Sequence, residues 1–285
     1  MRVGRLYRRH AARACDDPDP CRVGWCDATT GCASGPVADG TVCDDGDPGT
    51  GGDVCQAGSC IGAVLSPEEP SSGGTVLLYD DFEDLLPGTT PADWEVVDYR
   101  GTPQPGAFVA VTTEDGGRAF AVPRSPGTRY LAHYMGPGAE TWSSYELIGR
   151  MRADDTRSGI GVMIASAYPA GGEHVSLLRN GAQPSYVLSI NPADSPLVCV
   201  GGTDTGFAPQ PGAWTVFRVR AIPETEGLRL QAKVWDEADA EPAGWQVDCV
   251  AQGRQAVAGR PGLIAGGPGA KYFDDLGVWV VDASS

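Results

Sequence analysis

The clearest alternation of apolar and polar side chains lies between Trp214 and Val250. In the run TVFRVRAI (215–222), threonine and apolar side chains take every second position, and two arginines lie on the other side. Successive side chains of a strand point to opposite faces, so this run predicts a half-buried strand with a basic outer face. After the turn PETEG (223–227), LRLQAKVW (228–235) alternates in the same way, which predicts the antiparallel partner strand.

Similar short runs recur through residues 76–285 at a spacing of about 8–12 residues, with turn formers between them. GIGVMIAS (159–166) is apolar throughout and predicts a strand in the middle of a sheet, covered on both faces. The 285 residues include 40 Gly and 23 Pro, a composition that suits many short strands better than long helices. We therefore predict an all-β fold, a two-sheet antiparallel sandwich, for residues 76–285.

A different pattern occupies residues 15–60, which hold seven of the nine cysteines in two rows that both begin C-D-D-x-D-P. The second row has Gly49 where the first row has its second cysteine, so one thiol is expected to lack a disulfide partner. This stretch has too few aliphatic side chains for a hydrophobic core, and disulfides are its expected source of order. The cysteines are Cys15, Cys21, Cys26, Cys32, Cys43, Cys55 and Cys60.

Metal sites are less favoured in this segment. No C-x2-C pair of the zinc-ribbon type occurs. Asp44, Asp45 and Asp47 resemble the start of a calcium loop, but the Glu that closes an EF-hand loop is missing, which favours a solvated turn.

Two further segments complete the predicted organisation. Residues 1–14 carry five Arg and no acidic residue, and we interpret them as a basic leader or disordered tail without the apolar segment of a secretory signal. Residues 61–75 are rich in Pro, Ser and Gly and are predicted to be a linker. The cysteine usage nevertheless indicates an oxidising compartment, so we expect an extracellular or cell-surface protein.

The net charge of −16 disfavours binding to nucleic acid and to anionic membrane surfaces. No apolar run approaches the ~18 residues of a membrane span. The three histidines, His10, His133 and His174, are too scattered to indicate a metal triad, and His133 within RYLAHYM is more typical of a satisfied strand residue than of a catalytic base.

The order of elements DDFED…W, YELIGRMR…GIGVMI, WTVFRVRA…LRLQAKVW…GWQV and KYFDDLGVWV resembles the concanavalin A-like lectin/glucanase superfamily in its laminin-G-like branch, from Thr75 onward. The resemblance implies a jelly roll of two packed antiparallel sheets, with ligands on a concave face or rim. This superfamily includes binding modules, adhesion modules and glycosidases, so the fold alone does not decide the function. The cysteine rows are similar to small repeats that form stalks or spacers in large secreted bacterial proteins.

One apparent catalytic motif follows the second strand of the hairpin. Glu237, Asp239 and Glu241 spell E-x-D-x-E, the pattern that laminarinase-type glycosidases of the superfamily use for nucleophile and acid/base. Here the motif runs into Pro-Ala-Gly and lacks an adjacent aromatic residue, which favours an exposed turn over a catalytic strand.

Two kinds of binding residue are predicted beside it. In jelly rolls of this kind the first and last strands are neighbours, so four carboxylates at their ends could hold a structural calcium ion; they are Asp81, Glu83, Asp274 and Asp275. Aromatic rings near loops could stack on sugars, and the candidates are Trp142, Tyr168 and Tyr186. Cys199 and Cys249 each lie in a strand-like run and are expected to form a disulfide, with two buried free thiols as the alternative.

We therefore expect a secreted or surface-displayed, non-catalytic binding or adhesion module that recognises a polysaccharide or glycoprotein, in a larger extracellular assembly. Two alternatives stay open. One is a polysaccharide-active glycoside hydrolase of the same fold, and the other is a structural surface or filament subunit.

Overall fold

The computed structural model describes residues 15, 17, 19–27, 29, 31–43, 50–64, 75–114, 116–124, 128–181, 183–193, 196–253 and 258–281. The chain divides into two compact units, Met1–Glu69 and Pro70–Ser285. Within the described ranges, no helix combines the length and the apolar character needed to cross a membrane.

The first unit contains two β-hairpins, one from each cysteine row. Strand β1 (Arg22–Asp27) pairs with β2 (Gly31–Pro36), and β3 (Thr50–Gln56) pairs with β4 (Ser59–Val64), both antiparallel. Each predicted sequence repeat therefore forms one hairpin.

Three disulfides cross-link this unit. Two are equivalent in the repeat, because each spans 17 residues within one row. The third, Cys21–Cys55, joins the two rows, and these cysteines are the buried apolar side chains among the described residues of the unit. The side chain of Cys26 lies outside the described residues, so the unpaired thiol stays a prediction. The two equivalent bonds are Cys15–Cys32 and Cys43–Cys60.

The second unit is a sandwich of two antiparallel sheets, as the strand pattern predicts. The nine-stranded sheet has the order β14-β17-β16-β15-β10-β19-β8-β7, with β5 also paired to β19, and the six-stranded sheet has the order β13-β12-β11-β18-β9-β6. The strands are β5 (Val76–Asp80), β6 (Trp94–Asp98), β7 (Val109–Thr112), β8 (Arg118–Val122), β9 (Tyr130–Tyr134), β10 (Tyr145–Ala153), β11 (Gly159–Ser166), β12 (His174–Arg179), β13 (Val187–Asn191), β14 (Leu197–Val200), β15 (Trp214–Glu224), β16 (Gly227–Asp236), β17 (Val247–Gln252), β18 (Arg260–Gly266) and β19 (Lys271–Val280).

The predicted hairpin is the β15–β16 pair, whose two-residue turn is set by the pairing of Glu224 with Gly227. Its apolar face enters the core, but the prediction of a half-buried strand is wrong. The outer face is buried as well, because Arg218 forms ion pairs with Glu146 and Glu241 that cover the sheet. Charged side chains are almost never fully buried unless they are paired, and here they are paired.

The core lies between the two sheets, where a group of aromatic rings packs among a larger number of aliphatic side chains. Phe108 and Phe120 lie 5.1 Å apart between ring centroids, and Phe108 also contacts Phe273 of the last strand at 5.9 Å. Strand β11 is buried along its whole length in the interior of the six-stranded sheet, as its continuous apolar sequence predicts. The first strand of the sandwich, β5, pairs with its last strand, β19, which confirms the prediction that these two strands are neighbours.

Candidate functional site

A cleft of about 540 Å³ lies over the outer face of the six-stranded sheet. The alternation of β9 places Ala132 in the core and therefore turns Leu131 and His133 outward, toward this cleft. The turn 98–101 forms one wall and the loop 167–173 forms another. The lining residues are Val97, Asp98, Tyr99, Arg100, Gly101, Leu131, His133, Ser166, Tyr168, Pro169, Gly171, Gly172, His174 and Asn191.

His133 is the central polar group of the cleft. Although it points away from the core, only 3% of its surface is exposed, because the ring of Tyr168 stacks on it at a centroid distance of 4.2 Å. Its Nδ1 lies 3.2 Å from Ser166 Oγ, whereas Nε2 has no hydrogen-bond partner among the described residues. Burial, with smaller contributions from His174 and Arg260, lowers the pKa of His133 to about 3. The imidazole is therefore neutral near pH 7.

A β-bulge directs Ser166 toward His133. Ala165 has a φ of 53°, and the pairing of β11 with β18 shifts register just before Ser166. The buried Tyr145 hydroxyl holds the bulge, since it accepts a hydrogen bond from Ala165 N at 2.7 Å and donates one to Gly259 O at 3.0 Å. Gly259 cannot carry a side chain, because a Cβ atom there would lie 2.5 Å from the carbonyl carbon of Ala165.

Tyr168 is fixed at both ends. Its hydroxyl donates to Glu95 Oε1 at 2.6 Å, and its carbonyl accepts a hydrogen bond from Arg260 Nε at 3.2 Å. Arg260 in turn forms an ion pair with Glu140 at 2.8 Å. Burial and then Glu95 raise the pKa of Tyr168 to about 12, so its hydroxyl stays protonated as a donor. These contacts position the ring that stacks on His133.

Near the end of the same loop, one backbone carbonyl group contacts two polar side chains of the cleft. Gly172 O accepts a hydrogen bond from Asn191 Nδ2 at 2.8 Å and lies 2.9 Å from His174 Nδ1. Because a carbonyl oxygen only accepts, the contact requires a proton on Nδ1 of His174.

The rim carries an exposed aromatic residue that the sequence interpretation missed. Tyr99 is 57% exposed, and Arg100 Nε donates to its hydroxyl at 2.8 Å. Asp98 Oδ1 accepts hydrogen bonds from the backbone N–H groups of Arg100 and Thr102, and this Asx-type turn fixes the rim. The sequence D-Y-R-G-T at 98–102 indicates a turn that carries an aromatic residue, and this pattern could have identified Tyr99.

Of the three predicted sugar-stacking residues, the structure places Tyr168 in the cleft. Trp142 lies elsewhere, stacked on Tyr134 at 5.8 Å and packed against the core. The prediction of an exposed ring is wrong for Tyr186, which is 1% exposed. Its position just before β13 places the ring between the sheets, so no sugar can stack on it.

The E-x-D-x-E motif lies in the loop after β16 and not along a strand. Glu237 forms an ion pair with Arg150 at 2.7 Å. Glu241 forms ion pairs with Arg218 and Lys233, and Asp239 is exposed in the turn. The alternating spacing therefore does not place the three carboxylates on one face of a strand, as the glycosidase pattern requires.

Arginine side chains and backbone N–H groups contact the four predicted calcium ligands. Arg150 contacts both Asp274 and Asp275 at 2.8 Å, so its guanidinium supplies the positive charge there. Burial and the neighbouring Asp275 raise the pKa of Asp274 to about 7, and burial raises the pKa of Asp275 to about 6. Glu83 Oε1 accepts a hydrogen bond from Arg118 N, and Asp81 Oδ1 accepts one from Glu83 N.

Calcium binding by these carboxylates stays a prediction. Among the described residues, three or more His, Cys, Asp or Glu ligand atoms lie within 4.8 Å of one another at Cys21, Cys43 and Cys60. All three cysteines are engaged in disulfides.

The two cysteines of the sandwich form a disulfide. Cys199 and Cys249 are direct cross-strand partners on β14 and β17, and their Cα atoms are 4.0 Å apart. The bond ties the edge strand β14 to the nine-stranded sheet.

No protein-family model matches the sequence, and no curated protein matches it. Among solved structures, the chain is similar to SCLam, a non-specific endo-β-1,3(4)-glucanase from family GH16, with 11% identity, a TM-score of 0.44 and coverage of 73% of this chain and 91% of that one. It is also similar to a β-1,3-glucanase from Mycobacterium marinum (15% identity, TM-score 0.40, coverage 73% and 100%) and to the lectin UEA-II complexed with galactose (11%, 0.41, 72% and 99%). The fold neighbours thus include glucanases and lectins alike, and the two-sheet architecture rests on the chain's own strand pairing.

Proposed function

We propose that the cleft over the six-stranded sheet binds a glycan, and that the protein is a secreted or surface-displayed binding protein without hydrolytic activity. The observation that carries the proposal is His133, whose Nε2 is buried, borders the cleft and lacks a hydrogen-bond partner among the described residues. An unpaired buried polar atom costs about 1–3 kcal/mol, and a ligand hydroxyl in the cleft would remove that cost.

The other lining groups fit a sugar better than a purely apolar ligand. Val97 and Leu131 supply an apolar floor, while Asn191 and His174 add polar groups on one wall. The exposed ring of Tyr99 on the rim offers an aromatic face. Small-molecule sites typically combine such apolar surface with a few fixed polar groups.

The lowered pKa of His133 favours binding over acid–base catalysis. A general base works best when its pKa lies near the operating pH. With a pKa of about 3, His133 is a poor base for removing the proton of Ser166, although the two side chains are in contact. Ser166 Oγ also accepts a hydrogen bond from Tyr168 N at 3.4 Å, so the hydroxyl is part of the fixed cleft wall.

An extracellular location is supported by the disulfides. Among the described residues, four disulfides join eight cysteines, and such bonds persist in oxidising compartments. We propose that the cysteine-rich unit is a covalently cross-linked spacer in a larger surface assembly.

A glycan array tests the proposal. We expect the wild-type protein to be retained by at least one glycan series and His133→Phe, which keeps an aromatic ring under Tyr168, to bind about tenfold more weakly. Tyr272→Phe is the matched control, because this tyrosine lies on β19 of the other sheet. Absence of retention on every neutral and acidic glycan of the array would contradict the proposal.

A further inference from the structure

A second cavity, of about 380 Å³, borders the cleft region at strand β6. Its lining is largely apolar and includes three prolines, Pro91, Pro103 and Pro105, together with Ala92 and Trp94. It differs in this respect from the first cleft, which is lined by both histidines of the sandwich.

A hydrogen bond links a lining residue of one cavity to a lining residue of the other. Glu95 lines the second cavity, and its Oε1 accepts the hydrogen bond of Tyr168, which lines the first, at 2.6 Å. Glu95 and Tyr168 therefore lie at the boundary between the two cavity linings.

One continuous loop borders both cavities. Residues 98–101 line the first cleft, and residues 103, 105 and 106 line the second. The loop is held against β6 by backbone hydrogen bonds, from Asp98 N to Thr102 O at 2.9 Å and from Gln104 N to Val96 O at 2.8 Å. These bonds tie the loop that borders both cavities to strand β6.

We infer that the site takes a linear oligosaccharide that passes across the Glu95–Tyr168 pair, with one part in each cavity, and not a single sugar. This inference rests on the proposed glycan-binding function. In the first cleft, His133, His174 and Asn191 provide polar contacts for sugar hydroxyls. In the second cavity, the proline-lined surface packs against the apolar face of a further sugar ring. The carboxylate of Glu95 lies at the junction, where it can accept a hydrogen bond from the hydroxyls of the chain.

Ala92 allows a test that leaves the first cleft intact, because it is exposed and lines only the second cavity. Ala92→Arg fills the second cavity, whereas Ala92→Ser leaves it open. Ala240→Arg adds the same side chain to an exposed loop of the nine-stranded sheet and controls for charge and size. Dissociation constants are measured for linear glucan, galactan, mannan, xylan and polyuronate series, from one sugar unit to six.

For the series that binds, we expect wild-type affinity to rise about tenfold or more between one unit and the longer chains. Ala92→Arg should remove this gain and leave the affinity for the shortest binding sugar unchanged, while the Ala92→Ser and Ala240→Arg proteins behave as wild type. An affinity that is independent of chain length, or a gain that survives Ala92→Arg, would overturn the two-cavity inference but leave glycan binding standing. If no series binds, the proposed function itself fails. Circular dichroism and the melting temperature show whether each variant is folded.

Discussion

The buried imidazole of His133 should make the stability of the sandwich depend on pH in a defined direction. Its pKa in the folded protein is about 3, against 6.5 for an ordinary histidine. A folded-state pKa below the unfolded value means that the unfolded chain binds a proton first as the pH falls. The stability contributed by the neutral, buried ring is therefore complete above pH 6.5 and is lost between pH 6.5 and pH 3.

The size of this loss follows from the shift. One pKa unit corresponds to about 1.4 kcal/mol, so lowering the pH from 6.5 to 4.5 should reduce the free energy of unfolding by about 2–3 kcal/mol through His133 alone. His133 is 3% exposed, so solvent screening reduces this figure little. Asp80, Asp274 and Asp275 have raised pKa values and act in the opposite direction over this window, so the wild-type curve alone does not isolate the histidine.

Comparison with His133→Phe isolates it, because the phenyl ring keeps an aromatic contact with Tyr168 and does not titrate. Urea unfolding of both proteins at pH 7.0 and 4.5 gives four free energies. We expect the wild-type protein to lose about 2–3 kcal/mol more than His133→Phe between the two pH values. Equal losses in both proteins would show that His133 is protonated in the folded state or reaches solvent, and the neutral-imidazole account of the cleft would be wrong.

Three further outcomes follow from the structure. Because the guanidinium of Arg150 already contacts both Asp274 and Asp275, we expect EDTA to leave the melting temperature unchanged, and a decrease would favour the calcium prediction. Incubation with soluble β-glucans should produce no new reducing ends; release that disappears in Glu237→Gln would establish the hydrolase alternative. Tyr145→Phe should lower the free energy of unfolding, measured in urea, by about 1–3 kcal/mol, because it leaves the buried N–H of Ala165 without its hydrogen-bond partner. An unchanged value would show that the bulge does not depend on the Tyr145 hydroxyl.

The strands were predictable from sequence because their signal is local. Alternation along β15 and β16 identifies a hairpin without knowledge of any other segment, and the uninterrupted apolar run of β11 identifies a buried strand. Burial of the outer face of β15 was not predictable, because it depends on Glu146 and Glu241, which are distant in sequence from Arg218 or lie in a separate loop.

The cleft was largely unpredictable from sequence, because it too depends on contacts between residues that are distant in the chain. The contact of His133 with Ser166 joins residues 33 positions apart in the sequence, and that of Tyr168 with Glu95 joins residues 73 positions apart. Alternation within β9 predicts only that His133 points outward. A histidine on a strand is more often a satisfied residue than a site. The missing partner of Nε2 becomes visible only when the loop 167–173 is placed over the sheet.

For Tyr186 the sequence interpretation was wrong in the other direction, because it predicted a binding residue where the structure has a buried one. It lies just before a strand, where an aromatic ring is often exposed, yet it faces the core and donates no surface to a ligand. The choice between the two faces of a strand end depends on register, and a shift of one residue reverses it.

Under the proposed function, His133 Nε2 takes a hydrogen bond from the bound glycan. The most direct measurement is the ring-nitrogen NMR spectrum of the 15N-histidine-labelled protein, with the His133 signals assigned by their loss in His133→Phe. Adding the oligosaccharide selected on the array should shift the His133 Nε2 resonance in step with saturation and leave the ring neutral. Saturation without any change at His133 Nε2 would contradict the account and place the glycan elsewhere on the protein.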